Sequence, residues 1–142
     1  METKRFQHRH RVTYAECTAG NHVYHARFLN ILEEARGEFF RSLGLSLLAL
    51  QETGTVFPVT ECKMRFKSFA RYDDLLTIEV WLESLQRVRL SFGHRILNVA
   101  GRVLLEAETV HVCTNLQEKP KRMPEELIKL LEPFVARPPS AQ

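Results

Sequence analysis

Residues 18–40, TAGNHVYHARFLNILEEARGEFF, decide the fold that we expect for this chain. Apolar side chains recur there at steps of three and four residues, which places them in one stripe along a helix of 3.6 residues per turn. The stripe consists of Phe28, Ile31, Leu32, Ala35 and Phe39. Phe40 and Leu43 widen the stripe, so the helix is expected to be buried on more than one side, and Gly44 is a suitable residue to end it.

Strands are predicted on both sides of this helix, because polar and apolar residues alternate there with a period of two. One strand precedes the helix in FQHRHRVTY, residues 6–14. Four follow it, at residues 61–67, 76–83, 88–96 and 102–112. Their short connections predict an antiparallel meander, since parallel strands would need crossover helices. Pro124 and Pro133 bound a predicted terminal helix.

The order strand, helix, four strands, helix predicts an α+β protein with the hot-dog fold. In that arrangement a five-stranded antiparallel sheet wraps around one long central helix, and a C-terminal helix is added. No composition shift suggests a domain boundary, so residues 1–142 are expected to form a single domain. A sheet with a polar face and open edges usually pairs with a second copy, so we expect a homodimer or homotetramer.

Composition limits the function classes without choosing one. The net charge of +3 and the pI near 8.9 are mildly basic, without the clustered stripe of a nucleic-acid-binding protein. No apolar run approaches the ~20 residues of a membrane span, and METKRFQHRH has no apolar signal region, so we expect a cytoplasmic protein. The three cysteines are far apart and form no CxxC pair, so neither disulfides nor a thiolate zinc site is expected.

Several stretches, in order and spacing, resemble the 4-hydroxybenzoyl-CoA thioesterase family, and in particular its YbgC-like acyl-CoA thioesterases. They are RVTYAECTAGNHVYHARFLNILEEAR (residues 11–36), FKSFARYDDLLTIEV (66–80), AETVHVCTN (107–115) and KPKRMPEEL (119–127). The resemblance implies hydrolysis of an acyl-CoA or acyl-carrier-protein thioester. It also implies no metal and no cofactor, with coenzyme A present only as part of the substrate.

The chain departs from this family at one position. Thr18 stands where the family carries an aspartate that attacks the thioester or activates water. A threonine hydroxyl cannot serve as a base near pH 7 without a partner. Two functions therefore stay open: a thioesterase with another base, or a non-hydrolytic protein that binds acyl-CoA or acyl-carrier protein. A hydratase ranks last, because the motif of that enzyme group is not found.

Polar residues before the helix are the candidates for the missing base. In an extended segment, Glu16 and Thr18 would point the same way and lie about 6.5–7 Å apart, so Glu16 could reach the same space. His22 offers an imidazole, whose unperturbed pKa near ~6.5 suits a general base. Asn21 could hold water or serve turn geometry. The backbone amide of His25, at the helix start, is expected to polarise the carbonyl.

Other titratable residues are weaker candidates. Glu33 and Glu34 lie on the helix flank and could substitute for the aspartate, as some hot-dog thioesterases use a helix glutamate. His22 and His25 lack a third ligand for a metal. His94 and His111 alternate with apolar strand residues and are expected to be core or interface histidines.

Basic residues could hold the phosphates of coenzyme A. The candidates are Arg65, Lys67 and Arg71. The alternation of Lys63, Arg65 and Lys67 with apolar residues is also explained, more simply, by the solvent-facing side of a strand.

Overall fold

The computed structural model describes residues 3–136, in which one long helix packs on a five-stranded sheet. Helix α1, Arg27–Ser42, buries the predicted apolar stripe, and Ile31, Leu32, Ala35 and Phe39 are all at most 1% exposed. The helix ends where the sequence predicts. Gly44 takes a left-handed conformation, with φ +83°, and its amide donates to the carbonyl of Arg41 at 3.0 Å.

The sheet is antiparallel throughout and confirms the predicted hot-dog architecture. Its strands are β1 (Phe6–Arg11), β4 (Val59–Phe66), β5 (Leu75–Leu85), β6 (Arg89–Leu97) and β7 (Val103–Val112). Two short strands, β2 (Cys17–Thr18) and β3 (His22–Val23), form a separate ribbon before α1.

The predicted four-strand meander is wrong in one respect. The strand order is β1-β5-β6-β7-β4, so only β5, β6 and β7 follow one another, and β4 lies beside β7 at the far edge. Residues 67–74 connect β4 to β5 across the end of the sheet, over three strand spacings of about 4.8 Å each. A connection of that length need not be a hairpin, and alternation alone does not reveal which strands are neighbours.

Strand β5 shows the predicted burial, because Leu76, Ile78, Val80 and Leu82 are all fully buried against the helix layer. Strand β4 does not. Met64 on its apolar face is half-buried, Cys62 is exposed, and Phe66 is 50% exposed. The apolar face of this edge strand is therefore not covered within a single chain.

The remaining helices lie around this core. Helix α2, Leu47–Glu52, was not predicted from the sequence, and Ser46 caps it by accepting a hydrogen bond from the amide of Ala49 at 3.1 Å. The predicted terminal helix is α3, Glu125–Leu131, which ends two residues before Pro133. In the described part of the chain, every helix is too short or too polar to cross a membrane.

His94 and His111 are core histidines, 1% and 4% exposed. His94 Nε2 accepts a hydrogen bond from Arg36 at 3.4 Å, so its Nδ1–H donates to the carbonyl of Ala107 at 3.3 Å. Burial, together with the nearby charge of Arg36, lowers the pKa of His94 to about 3 and that of His111 to about 4. Both rings are therefore neutral in the folded protein at physiological pH.

Candidate active site

A cavity of about 520 Å³ opens at the start of α1. The β2–β3 ribbon, the first turn of α1, the end of β4 and the segment that follows β4 form its walls. Three of the five predicted catalytic residues, Thr18, His22 and His25, line it. The structure thus brings together residues that the sequence placed only on the same loop.

The ribbon sets the geometry of two of these side chains. Thr18 and His22 are directly opposite each other in its register, so the hydroxyl and the imidazole project to the same side. The turn between them closes through the amide of Asn21, which donates to the carbonyl of Thr18 at 3.2 Å. Gly20 (φ +87°) and Asn21 (φ +61°) supply the left-handed backbone that this tight turn requires.

Asn21 therefore serves turn geometry. Its side-chain oxygen accepts a hydrogen bond from the amide of Tyr72 at 3.1 Å, and it does not line the cavity. This bond ties the ribbon to the segment that follows β4. The alternative considered from the sequence, that Asn21 holds water or a ligand, receives no support from this geometry.

The imidazole of His22 is held against the cavity wall by an aromatic stack. Its ring lies on the ring of Phe69, with centroids 4.1 Å apart and planes 10° from parallel. Stacking fixes the plane of the imidazole while its nitrogens remain at the ring edge. Since His22 is half-buried, the ring is ordered but still accessible from the cavity.

The start of α1 offers unpaired backbone donors. The amides of Arg27 and Phe28 donate to the carbonyls of Tyr24 (2.8 Å) and His25 (3.3 Å). Within residues 3–136, the amides of His25 and Ala26 donate to no protein acceptor, and no side chain caps the helix. The first turn of α1 also contains no acidic residue, so these amides are free to meet a carbonyl oxygen.

Glu16 lies elsewhere, because the extended segment assumed for it is wrong. Residues Tyr14–Glu16 form a 3₁₀ turn, in which the Glu16 carboxylate accepts a hydrogen bond from the amide of Thr13 at 2.7 Å. Both of its oxygens also lie 2.9 Å from Nε2 of His10. Consequently Glu16 points away from the cavity, and no Asp or Glu is among the described residues that line it.

The two helix glutamates are not in the cavity either. Glu33 is exposed, and Glu34 bonds to two histidines of β1, with its Oε2 2.6 Å from His8 and 2.9 Å from His10. Neither carboxylate lines the cavity within this chain.

The basic candidates differ in whether they lie at the cavity. Lys67 lines the cavity, with Nζ 3.6 Å from Glu106. The guanidinium of Arg71 lies 6.0 Å from the ring centroid of Phe69, near the cavity wall. Arg65 lines a separate, smaller depression of about 280 Å³, together with Glu106. Lys67 and Arg71 are thus near the site, and Arg65 is not.

The apolar wall of the cavity was not recognised from the sequence. Phe28 lines it from α1, and Phe66 and Phe69 line it from the end of β4 and beyond. Phe66 and Phe69 are 50% and 60% exposed, which is unusual for phenylalanine. The signal available in the sequence was FKSF, residues 66–69, where two aromatic residues flank a polar pair at a strand end.

In the same described residues, no group of three or more His, Cys, Asp or Glu side chains has an arrangement suited to a metal ion. The polar groups that line the cavity include the imidazoles of His22 and His25, the hydroxyl of Thr18 and the ammonium group of Lys67, beside an aromatic wall.

The sequence pattern of the thioesterase-like superfamily matches residues 12–131, which include this cavity and nearly the whole sheet. The chain belongs to the thioesterase-like superfamily. The acyl-CoA thioester hydrolase YbgC of Escherichia coli O157:H7 is 34% identical over 129 residues, which cover 90% of this chain and 96% of that protein. The resemblance stated from the sequence is confirmed.

Two solved structures share the fold of this chain. A protein of Aquifex aeolicus, AQ1494, superposes with a TM-score of 0.85 at 28% identity, covering 89% of this chain and 98% of that one. Slr0204 of Synechocystis, a 1,4-dihydroxy-2-naphthoyl-CoA thioesterase, superposes with a TM-score of 0.83 at 22% identity, covering 90% and 96%. The hot-dog arrangement is common to all three chains.

Proposed function

We propose that this protein is an acyl-CoA thioesterase, which hydrolyses a thioester to a free acid and coenzyme A. The observation that carries the proposal is the cavity that Thr18, His22 and His25 line at the start of α1, where, within residues 3–136, the amides of His25 and Ala26 have no protein acceptor. Membership of the thioesterase-like superfamily and the likeness to YbgC, an acyl-CoA thioester hydrolase, support it.

The free amides of His25 and Ala26 are the electrophilic part of the site. A thioester oxygen placed against them would receive two hydrogen bonds and the favourable end of the α1 dipole. Negative charge develops on this oxygen when water adds to the carbonyl carbon. Because no carboxylate lies in the first turn of α1, nothing in that turn competes for these donors.

His22 is the proposed general base. In its neutral form it takes a proton from water as the water attacks the carbonyl carbon, and Thr18, directly across the ribbon, orients that water. Collapse of the tetrahedral intermediate breaks the C–S bond, and the thiolate leaves with the proton that His22 returns. Glu16, whose carboxylate is engaged by His10 and Thr13, takes no part in this scheme.

The acyl group would lie along the aromatic wall formed by Phe28, Phe66 and Phe69. In this proposal Lys67, which lines the cavity, and Arg71, beside Phe69, bind phosphates of coenzyme A. Arg65, which lines the separate depression, is left out of this proposal. The reaction as written needs no metal or cofactor, and it would also proceed on a carrier-protein thioester. The cytoplasmic location stays a prediction from the sequence.

A homo-oligomer belongs to the same proposal. Strand β4 has a neighbour on one side only, and all its residues are exposed or half-buried. A second copy that pairs with this edge would cover Cys62, Met64 and Phe66 and continue the sheet. Whether two such dimers join into a tetramer is decided by sedimentation equilibrium on the full chain.

The deciding experiment measures release of free thiol from short, medium, long and aromatic acyl-CoAs. Replacing His22 with alanine should lower kcat by about 10²–10⁴-fold, the usual contribution of a general base. Tight acyl-CoA binding without thiol release from the unaltered protein would instead identify a non-hydrolytic binding protein.

The amide donors are tested with a matched pair of variants at position 25. This residue is the second of the turn closed by the Arg27 amide and the Tyr24 carbonyl, a position that favours proline. His25→Pro removes the N–H and should lower kcat by about 10²–10³-fold. His25→Ala keeps the N–H and should have a much smaller effect. Equal losses in the two variants would reject the amide of His25 as an oxyanion donor.

A further inference from the structure

Four side chains outside the cavity form a continuous hydrogen-bonded row. Nε2 of His8 lies 2.6 Å from Oε2 of Glu34, and the same oxygen lies 2.9 Å from Nδ1 of His10. The other nitrogen of His10 lies 2.9 Å from both oxygens of Glu16. We call the His10, Glu16 and Glu34 part of this row the clasp, because it joins three separate elements of the fold.

The clasp requires a charged imidazole. A neutral imidazole has one N–H, whereas both nitrogens of His10 face ionisable carboxylates. Burial opposes the charge and lowers the pKa of His10, but the hydrogen bonds and charges of Glu16 and Glu34 outweigh it, so the pKa is raised above 6.5. Burial likewise raises the pKa of Glu34, but its bonds to His8 and His10 outweigh this and lower it below 4.5.

The groups that face His10 are few. Glu34 approaches from α1, Glu16 from the 3₁₀ turn, and His8 from β1 by way of Glu34. The β5 residue paired with His10 is the apolar Leu76. With its side chain 11% exposed, His10 is largely shielded from water.

The clasp is connected to both halves of the site. Glu16 directly precedes β2, so its position sets where the strand that carries Thr18 begins. The backbone carbonyl of Glu16 accepts a hydrogen bond from the amide of Tyr24 at 2.9 Å. Tyr24 in turn directly precedes the unpaired amide of His25. A single residue, Glu16, therefore sets where the ribbon begins and where the helix start lies.

We propose that protonated His10 is a positioning residue of the thioesterase site, which holds Glu16 to Glu34 and so fixes the Thr18–His22 ribbon against the free amides of α1. This inference rests on the proposed function. The clasp is complete below pH 6.5 and is lost as the pH rises through the raised pKa of His10. On the acid side it is complete above pH 4.5 and is lost as the pH falls through the lowered pKa of Glu34.

The test compares kcat and KM between pH 5.5 and 9 for the unaltered protein, His10→Gln and Glu16→Gln. In the unaltered protein, kcat should fall on the order of tenfold at the alkaline end, because small displacements of reacting groups are costly. Both variants should have a lowered kcat, with KM changed less than about twofold, and should lack the alkaline fall. The double variant should be no worse than either single variant.

His8→Gln is the matched control. Among the described residues, the side chain of His8 forms a hydrogen bond to Glu34 alone, at the outer end of the row, so this variant should keep the alkaline fall of the unaltered protein. A base role for Glu16 predicts a different result, in which Glu16→Gln loses nearly all activity while His10→Gln does not. That outcome would overturn the clasp.

A second measurement separates this inference from the proposed function. The measurement is hydrogen–deuterium exchange of the Tyr24 backbone amide, corrected for its intrinsic rate. In the unaltered protein the corrected rate should increase on the order of tenfold as the pH rises from 6 to 9. In His10→Gln it should be fast at both pH values. If the protein hydrolyses no thioester, the proposed function fails and Tyr24 exchange alone decides the clasp. If it is active but His10→Gln matches it in both kcat profile and exchange, the clasp is refuted and the function stands.

Discussion

Acid should destabilise this protein through its two buried histidines. Below pH 6.5 the unfolded chain takes up a proton on His94 and on His111, whereas the folded chain holds both rings neutral down to about pH 3 and about pH 4. The stability that the two neutral rings contribute is therefore fully present above pH 6.5, and it is lost progressively as the pH falls towards those values. From pH 7.5 to pH 5.0 each histidine should remove about 2 kcal/mol from the free energy of unfolding.

Urea unfolding at the two pH values, at one fixed protein concentration, measures this effect. In His94→Gln the amide side chain can keep the hydrogen bonds to Arg36 and to the carbonyl of Ala107, but it cannot titrate. The free energy of unfolding of this variant should therefore fall by about 2 kcal/mol less between pH 7.5 and 5.0 than that of the unaltered protein. His111→Gln should behave alike, and His25→Gln, on an exposed residue, should leave the loss unchanged. Equal losses in all four proteins would refute the assignment of neutral buried rings.

Two further substitutions test the fold and the site. Gly93→Ala would place a Cβ 2.5–2.7 Å from the indole of Trp81, which is hydrogen-bonded to Glu83 and lies under the guanidinium of Arg5. Because the indole is held from both sides, the free energy of unfolding should drop by about 1–3 kcal/mol, while kcat stays unchanged. Thermal unfolding and a parallel activity assay measure the two quantities. Thr18→Asp would place a carboxylate directly opposite His22, where it favours the protonated imidazole. The kcat at pH 7 should therefore fall, and the pH at which kcat is greatest should rise. A large gain in kcat at pH 7 would instead mean that His22 is not the base.

The sequence predicts those parts of the fold that depend on local periodicity. The stripe of α1 and the alternation of β5 each have one buried side, so residue spacing alone identifies them. The position of β4 depends on which strand it pairs with, and its exposed residues follow the same alternation as a buried strand. The neighbour of a strand is set by tertiary packing, which residue spacing does not encode.

The candidate site likewise has a part that the local sequence predicts and a part that it does not. The sequence grouped Thr18 and His22 only as polar residues of one loop, and the structure adds the tight turn through Gly20 and Asn21 that places them opposite each other. Glu16 was misplaced although Thr13 and Glu16 have the spacing of a capping box, which predicts a turn and not an extended segment. Phe69 reaches His22 from a distant part of the chain, and no local pattern predicts such a contact.

Strand β4 has two roles that meet at Phe66. This residue closes one side of the cavity, and it also lies on the strand whose edge we assign to a second copy. Mass action then links catalysis to dilution: at concentrations below the dimer dissociation constant, the wall behind the acyl group would lose its support. Turnover per chain should therefore decline as the protein is diluted, and after a concentrated stock is diluted into the assay the rate should start high and fall as the dimer dissociates.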